Sequence, residues 1–285
     1  MLQMKTFKKF GLTRDPFSGD VVKADDVYLT DDTRFVAEYL MQAAKVGGMV
    51  ALVGESGSGK STIRRLAVDR WQLEDQKVRV ITPRCVDKTR LTTSTICDAI
   101  INDCSTEAPR RSLEGKARQV ERILTNSSRS GFSHVLMIEE AHDLNISTLK
   151  YLKRFWEMED GFKKLLAIVL IGQIELKSKL DESKNWEARE VIRRMEVLEL
   201  APLGTGADIA AYLDIKFGRL GRERKKIIGD AGCEALAAKL RRQTRNGVMY
   251  SVAYPLLINN WARKAMNLAA SMKVKLVDAD VINSL

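Results

Sequence analysis

The segment Gly54-Glu55-Ser56-Gly57-Ser58-Gly59-Lys60-Ser61 satisfies G-x-x-x-x-G-K-[ST] in full, and its setting constrains the fold more than any other feature of the chain. It follows directly on the apolar run Met49-Val50-Ala51-Leu52-Val53 and leads into a helical pattern over 61–72. A continuous apolar run of this kind suits a strand buried on both faces of a parallel sheet. Glycines let successive backbone N–H groups turn inward as an anion nest, and the helix N-terminus adds partial positive charge. In such a loop Gly54, Glu55, Ser56, Gly57, Ser58, Gly59, Lys60, Ser61 and Thr62 would cradle the phosphates of ATP. Lys60 would reach the β- and γ-phosphates, and the Ser61 hydroxyl would join a Mg²⁺ shell.

Further strands are expected over 78–82, 135–138, 167–171 and 197–200, with helices over 31–45, 91–104 and 114–125 between them. Strands alternating with helices imply an α/β domain with a mostly parallel sheet covered on both faces. After Pro202 the pattern changes to helices alone, over 208–220, 230–243, 254–272 and 278–285. The expected division is therefore an irregular lead-in over 1–30 packed on the nucleotide-binding domain, that α/β domain over 31–204, and a small all-helical lid over 205–285.

Two further strand ends and one helix carry candidate chemistry. Val135-Leu136-Met137-Ile138 is followed by Glu139 and Glu140. The first carboxylate is placed to hold Mg²⁺, and the second to orient and activate the attacking water. The first acid is more commonly Asp, and Glu139 is one methylene longer. Ala167-Ile168-Val169-Leu170-Ile171-Gly172 ends in Gln173, an amide able to position that water or sense the γ-phosphate. Arg194, with Arg193 as second choice and Arg189 nearby, is a candidate arginine finger acting on a neighbouring subunit's nucleotide.

Lys plus Arg (47) exceeds Asp plus Glu (37), giving a net charge of +10 and a pI near 9.4. Such an excess favours polyanionic partners. Residues 206–285 hold 14 Lys/Arg against seven Asp/Glu, so they contribute +7 of the +10. The four cysteines form no C-x-x-C pair and are not spaced with His134 and His142 as zinc ligands, which argues against a disulfide framework or zinc site. The basic N-terminus has no apolar h-region behind it, and no apolar run approaches the ~20 residues of a spanning helix. A soluble protein of the cytoplasm with no membrane association is expected.

Together these elements resemble the AAA+ superfamily of ATPases over nearly the whole chain. Phe10-Gly11-Leu12-Thr13-Arg14-Asp15-Pro16-Phe17 followed by Tyr28-Leu29-Thr30 resembles the opening of ExeA-type ATPases, and Leu170-Ile171-Gly172-Gln173-Ile174-Glu175-Leu176 resembles their third strand end. Thr82-Pro83-Arg84-Cys85, Ala108-Pro109-Arg110-Arg111 and Glu140-Ala141-His142-Asp143-Leu144 are similar to segments of the transposition ATPases of that branch, the phage Mu B protein and TnsC among them. In the lid, Gly247-Val248-Met249-Tyr250 stands where the branch often has an arginine. The resemblance implies ATP-dependent self-association into a helical filament on duplex DNA, in the cytoplasm of a bacterial host cell. It also implies selection of target DNA and recruitment of an integrase-type transposase. Arg84, Lys88 and Arg90, with Arg110 and Arg111, are the expected DNA edge; a second basic cluster lies at 219–226. Two rival readings stand beside this one. The first is an ExeA-like secretion ATPase, a type that usually continues into a membrane span that this chain, ending at Leu285, does not reach. The second is a nucleotide-gated scaffold with little hydrolysis.

Overall fold

The computed structural model describes residues 1–19, 24–73 and 77–285, so residues 20–23 of the expected lead-in lie outside the described residues. In chain order the helices are α1 (Met4–Phe10), α2 (Asp31–Val46), α3 (Lys60–Leu73), α4 (Thr93–Cys104), α5 (Leu113–Arg129), α6 (Ile146–Trp156), α7 (Ile174–Lys179), α8 (Arg189–Ile192), α9 (Gly206–Gly218), α10 (Asp230–Lys239), α11 (Pro255–Met272) and α12 (Ala279–Asn283). The strands are β1 (Met49–Val53), β2 (Val78–Ile81), β3 (Ser133–Ile138), β4 (Glu159–Asp160), β5 (Lys163–Lys164), β6 (Ala167–Gly172), β7 (Met195–Glu199), β8 (Arg241–Gln243) and β9 (Met249–Ser251). They fall into two compact units. One contains 33–55 and 63–200; the other contains 1–32, 56–62 and 201–285.

The 33–200 unit is built on a five-stranded sheet of order β2-β3-β6-β1-β7, parallel throughout. Every residue of β1 and β6 is buried, which requires helices over both faces and accounts for the unbroken apolar runs. In register, Val53 of β1 lies opposite Gly172 of β6 and Glu199 of β7, so the C-terminal ends of these strands share one edge. Helix α4 starts on a capping box made by Thr92 and Thr95. Its Ile96, Ile100 and Ile101 are buried with Val120 and Leu124 of α5.

The second unit has its own core, in which Ile209, Leu213 and Phe217 of α9, Leu236 of α10 and Ile258 and Met266 of α11 are buried together. Its N-terminal segment differs from the expected lead-in. Residues 4–10 form a helix, and the segment packs with the C-terminal helices. Phe10, Leu12 and Phe17 are buried in their core, Phe17 stands edge-on to Phe217, and Arg263 pairs with Asp15 at 3.0 Å. Long-range apolar pairing of this kind leaves no local periodicity to read. The lid is also not wholly helical. The helix expected over 230–243 stops at Lys239, and β8 and β9 form an antiparallel hairpin in its place.

The basic cluster at 219–226 is largely structural. Arg224 is buried and bonds Asp214 (2.9 Å), Asp230 (2.7 Å) and the Ile228 carbonyl (3.0 Å). Arg219 pairs with Asp26 at 3.3 Å, and Arg222 donates to the Gly11 carbonyl.

Candidate nucleotide site

The phosphate loop leaves the sheet at the C-terminal end of β1. The Gly54 N–H donates to the Gly172 carbonyl at 3.3 Å, which ties the start of the loop to the end of β6. Gly57 and Gly59 have φ of +78° and +102°, conformations that side-chain-bearing residues rarely adopt, so the glycines of the motif are needed where they stand. Lys60 opens α3, with Ser61 and Thr62 in its first turn. The Thr62 N–H reaches back to the Gly59 carbonyl at 2.9 Å. Ser58 Oγ is buried without a hydrogen-bond partner among the described residues. A buried hydroxyl costs free energy until it is paired, and an anion seated in the loop would supply that partner. The Gly57 carbonyl accepts from the Leu256 N–H at 3.3 Å, and a Cβ built on Gly57 would come within 2.3 Å of the Leu256 Cβ. The N-terminus of α11 therefore packs directly on the loop.

Glu139 and Glu140 follow β3. Glu139 lies beside α3, with its Oε1 3.4 Å from Arg64 Nε. Its side chain is 37% exposed, leaving the carboxylate able to take a water-mediated place on a cation. No group of three or more His, Cys, Asp or Glu among the described residues could hold a metal alone. Mg²⁺ needs no such cluster, because it keeps several waters and binds through one or two protein groups plus phosphates.

Glu140 has φ of +51°, and among the described residues only Lys273 shares a positive φ without being glycine. Strain of this kind clusters at functional sites. Here it turns the chain sharply at the end of β3. Two residues on, His142 stands between two expected catalytic groups: its Nδ1 is 3.4 Å from Glu140 Oε2 and 3.4 Å from the Gln173 N–H, and its Nε2 is 3.5 Å from Gln173 Nε2. Gly172 makes this approach possible, because a Cβ there would meet the His142 backbone nitrogen at 3.1 Å and Leu176 at 2.9 Å. His142, which sequence reasoning did not assign, thus lies within 3.5 Å of both Glu140 and Gln173. Its proximity to Glu140 was the available signal, but the contact with Gln173 crosses two strands.

The arginine candidates lie around α8. Arg193 forks onto Glu182 at 2.9 and 2.6 Å. Arg194 donates to the Glu190 carbonyl at 2.5 Å and lies 5.8 Å from the Trp156 ring, and Arg189 stacks on Trp186 at 4.4 Å. The segment carrying Arg84, Lys88 and Arg90 runs along α4. Thr82 bonds Asp103 near the C-terminal end of that helix, and Leu91 reaches its first turns in a cavity of about 510 Å³. Arg84, Arg90, Arg110 and Arg111 are exposed, whereas Lys88 is half-buried and donates to the Pro83 carbonyl at 3.2 Å. Arg110 and Arg111 stand just before α5, where the Arg110 N–H donates to Gln119 Oε1 at 3.1 Å.

A parallel sheet of this order, with a phosphate loop after β1, acids after β3 and an amide after the intervening β6, defines an AAA+ P-loop NTPase fold. Residues 43–180 match the family model for an AAA domain. General secretion pathway protein A of Aeromonas hydrophila is 28% identical over 208 residues, covering 72% of this chain. The match spans 36% of that relative's length, a little over a third. Both matches are likenesses, to an AAA domain over 43–180 and to general secretion pathway protein A. Among solved structures, the fold is similar to Cdc6p from Pyrobaculum aerophilum (TM-score 0.61, 15% identity, 93% of this chain and 68% of that one). It is also similar to Drosophila ORC bound to DNA (TM-score 0.59, 14% identity, 99% of this chain and 65% of that one). At these identities the likeness is one of fold alone.

Proposed function

We propose that the protein is an ATP hydrolase that binds duplex DNA without sequence preference, assembles on it as a helical oligomer, and regulates transposition by selecting target DNA and recruiting an integrase-type transposase. The observation that carries the catalytic part is the line Glu140–His142–Gln173 on the sheet edge from which the phosphate loop departs. The loop and Lys60 bind the triphosphate. Mg²⁺, held through Ser61 and Glu139, would neutralise charge developing on the phosphates. Glu140 orients the attacking water and takes its proton, Gln173 positions that water, and His142 keeps the two at fixed spacing. Arg194 of one subunit, with Arg193 as second choice, would serve the nucleotide of the next.

The DNA part is supported by the +10 charge and by the exposed Arg84, Arg90, Arg110 and Arg111. The transposition part rests on the resemblance of the 82–85, 108–111 and 140–144 segments. Cytoplasmic action is part of the same proposal, and no helix among the described residues is long and apolar enough to cross a membrane. The 28% identity to general secretion pathway protein A favours a second reading, an ATPase serving secretion.

Electron microscopy of the protein with duplex DNA and ATP, alongside phosphate release with and without DNA, separates the two. Nucleotide-dependent filaments and DNA-stimulated release are expected. Hydrolysis indifferent to DNA, with no complexes on the grid, would favour the secretion reading.

A further inference from the structure

We propose that the hairpin β8–β9 is a second DNA-binding element, an arm that grips duplex DNA through arginines on a two-stranded ribbon. This rests on the reading of the chain as a DNA-binding ATPase, and adds a contact surface distinct from the α4 segment.

The sequence around the hairpin is unusual in charge. Residues 235–277 contain eight Lys or Arg and no Asp or Glu. Three of the cations, Arg241, Arg242 and Arg245, fall on the hairpin itself. Elsewhere in the same unit arginines are neutralised: Arg219 by Asp26, Arg224 by Asp214 and Asp230, Arg263 by Asp15. On the hairpin, the side chains of Arg241 and Arg245 have no hydrogen-bond or ion-pair partner among the described residues. Arg242 has only main-chain carbonyls, of Lys239 and Arg241, at 3.3 Å. Like charges on one short hairpin without a counter-charge repel one another, and an anion that joins them relieves that cost.

The hairpin's geometry suits a polyanion of defined width. Its turn is a three-residue loop in which the Gly247 N–H donates to the Thr244 carbonyl (3.0 Å) with Gly247 at φ +81°, and the Thr244 N–H donates to Val248 (2.9 Å). This construction closes two strands tightly and puts Arg245 at the tip. Residues 241–250 are exposed without interruption. In register, Arg242 lies opposite Tyr250, so a cation and an aromatic ring share one face. Exposed Met249 lies opposite Gln243 on the other face, which Arg241 shares. A two-stranded ribbon of this width enters the major groove of B-DNA, where arginines meet phosphates on either wall.

The base of the arm is rigidly seated. The Val252 N–H bonds the Leu240 carbonyl (2.8 Å), and the Leu203 N–H bonds the Ala253 carbonyl (3.0 Å). Only residues 252–254 separate β9 from α11, whose Leu256 touches the phosphate loop at Gly57. DNA held by the arm would therefore be connected to the loop through one short, ordered segment.

The test measures binding of a random-sequence 30-base-pair duplex by fluorescence anisotropy against KCl concentration, with ATP present. It compares wild type, Arg241→Ala/Arg242→Ala/Arg245→Ala, its Lys counterpart at the same three positions, and Arg84→Ala/Arg90→Ala. Each lost phosphate contact lowers the log–log salt slope by about 0.9, so the alanine variant should lose roughly 3 units per bound subunit while the lysine variant keeps most of the slope. Tyr250→Ala should weaken binding at an unchanged slope. ATP turnover without DNA should remain at the wild-type rate in every hairpin variant, and this reports that the fold is intact. Wild-type slope and affinity in the triple-alanine variant would overturn the arm. If the Arg84/Arg90 variant still loses affinity in that case, the proposed function stands without the arm. Wild-type protein that binds no DNA would overturn both. Loss of binding to anionic vesicles or to polyglutamate in place of DNA would reassign the arm to a membrane or an acidic protein and overturn the proposal.

Discussion

Acidification should destabilise the nucleotide domain through one buried ring. His134 lies on β3, five residues before the expected metal-holding Glu139, and is 1% exposed. Its Nδ1 is 3.0 Å from the Leu165 carbonyl and its Nε2 is 2.8 Å from Ser127 Oγ. A carbonyl only accepts, so Nδ1 carries the proton, and Nε2 accepts from the serine hydroxyl. Burial disfavours the charged ring and pushes its pKa down to about 4; nearby Arg79 and Lys163 act in the same direction, against the opposing pull of the Leu165 bond. In the unfolded chain the ring titrates near 6.5. Above pH 6.5 neither state takes up the proton and the stability is fully present. Between about pH 6.5 and 4 the unfolded state binds a proton that the folded state does not, so stability falls as pH falls. Two and a half pH units at 1.36 kcal/mol each amount to about 3 kcal/mol, or roughly 6–12 °C in Tm for a chain of this size. The assay is thermal unfolding from pH 8 to 4.5 for wild type and His134→Gln, whose amide can still donate to Leu165. Wild type should lose about 2–3 kcal/mol more than the variant across that range, since carboxylates titrate equally in both. Equal losses would refute the linkage to His134.

Three further perturbations address the site. Glu140→Gln should keep ATP affinity but lower turnover about 10²–10⁴-fold, read by phosphate release; normal turnover would remove Glu140 from its role. Gly57→Ala forces a side chain into left-handed backbone and onto Leu256, so nucleotide affinity should fall about five- to thirtyfold from the 1–2 kcal/mol backbone term alone, measured by titration with a fluorescent ATP analogue. Arg194→Ala should lose hydrolysis while each subunit still binds ATP, and activity should return on mixing with Lys60→Ala subunits; failure of the mixture to recover would count against action in trans.

The sheet and phosphate loop were readable because their determinants are local. Buried strands read as apolar runs, and the loop's φ > 0 positions require glycine. Gly172-Gln173 was legible as a strand end, but the reason for glycine there is the His142 backbone arriving from another strand, which no linear pattern carries. The hairpin had a local signal in Asn246-Gly247, a turn dipeptide, but the apolar spacing of α10 continued far enough to suggest helix through Gln243. The 219–226 charges read as a surface cluster. Arg224 is buried instead because Asp214 and Asp230, on helices either side of it in sequence, fold back to meet it. Similarly, Phe10, Leu12 and Phe17 announced a buried segment without saying which core would take it.

The central claim is that ATP in this phosphate loop controls a grip on DNA. The most direct measurement is the affinity for a random-sequence duplex at fixed salt with ATP, with ADP and with no nucleotide, for wild type and Lys60→Ala. Tight binding by wild type with ATP alone, and weak binding by Lys60→Ala under every condition, is the predicted result. Equal affinity in all three nucleotide states, or a Lys60→Ala variant that binds DNA as wild type does, would contradict it.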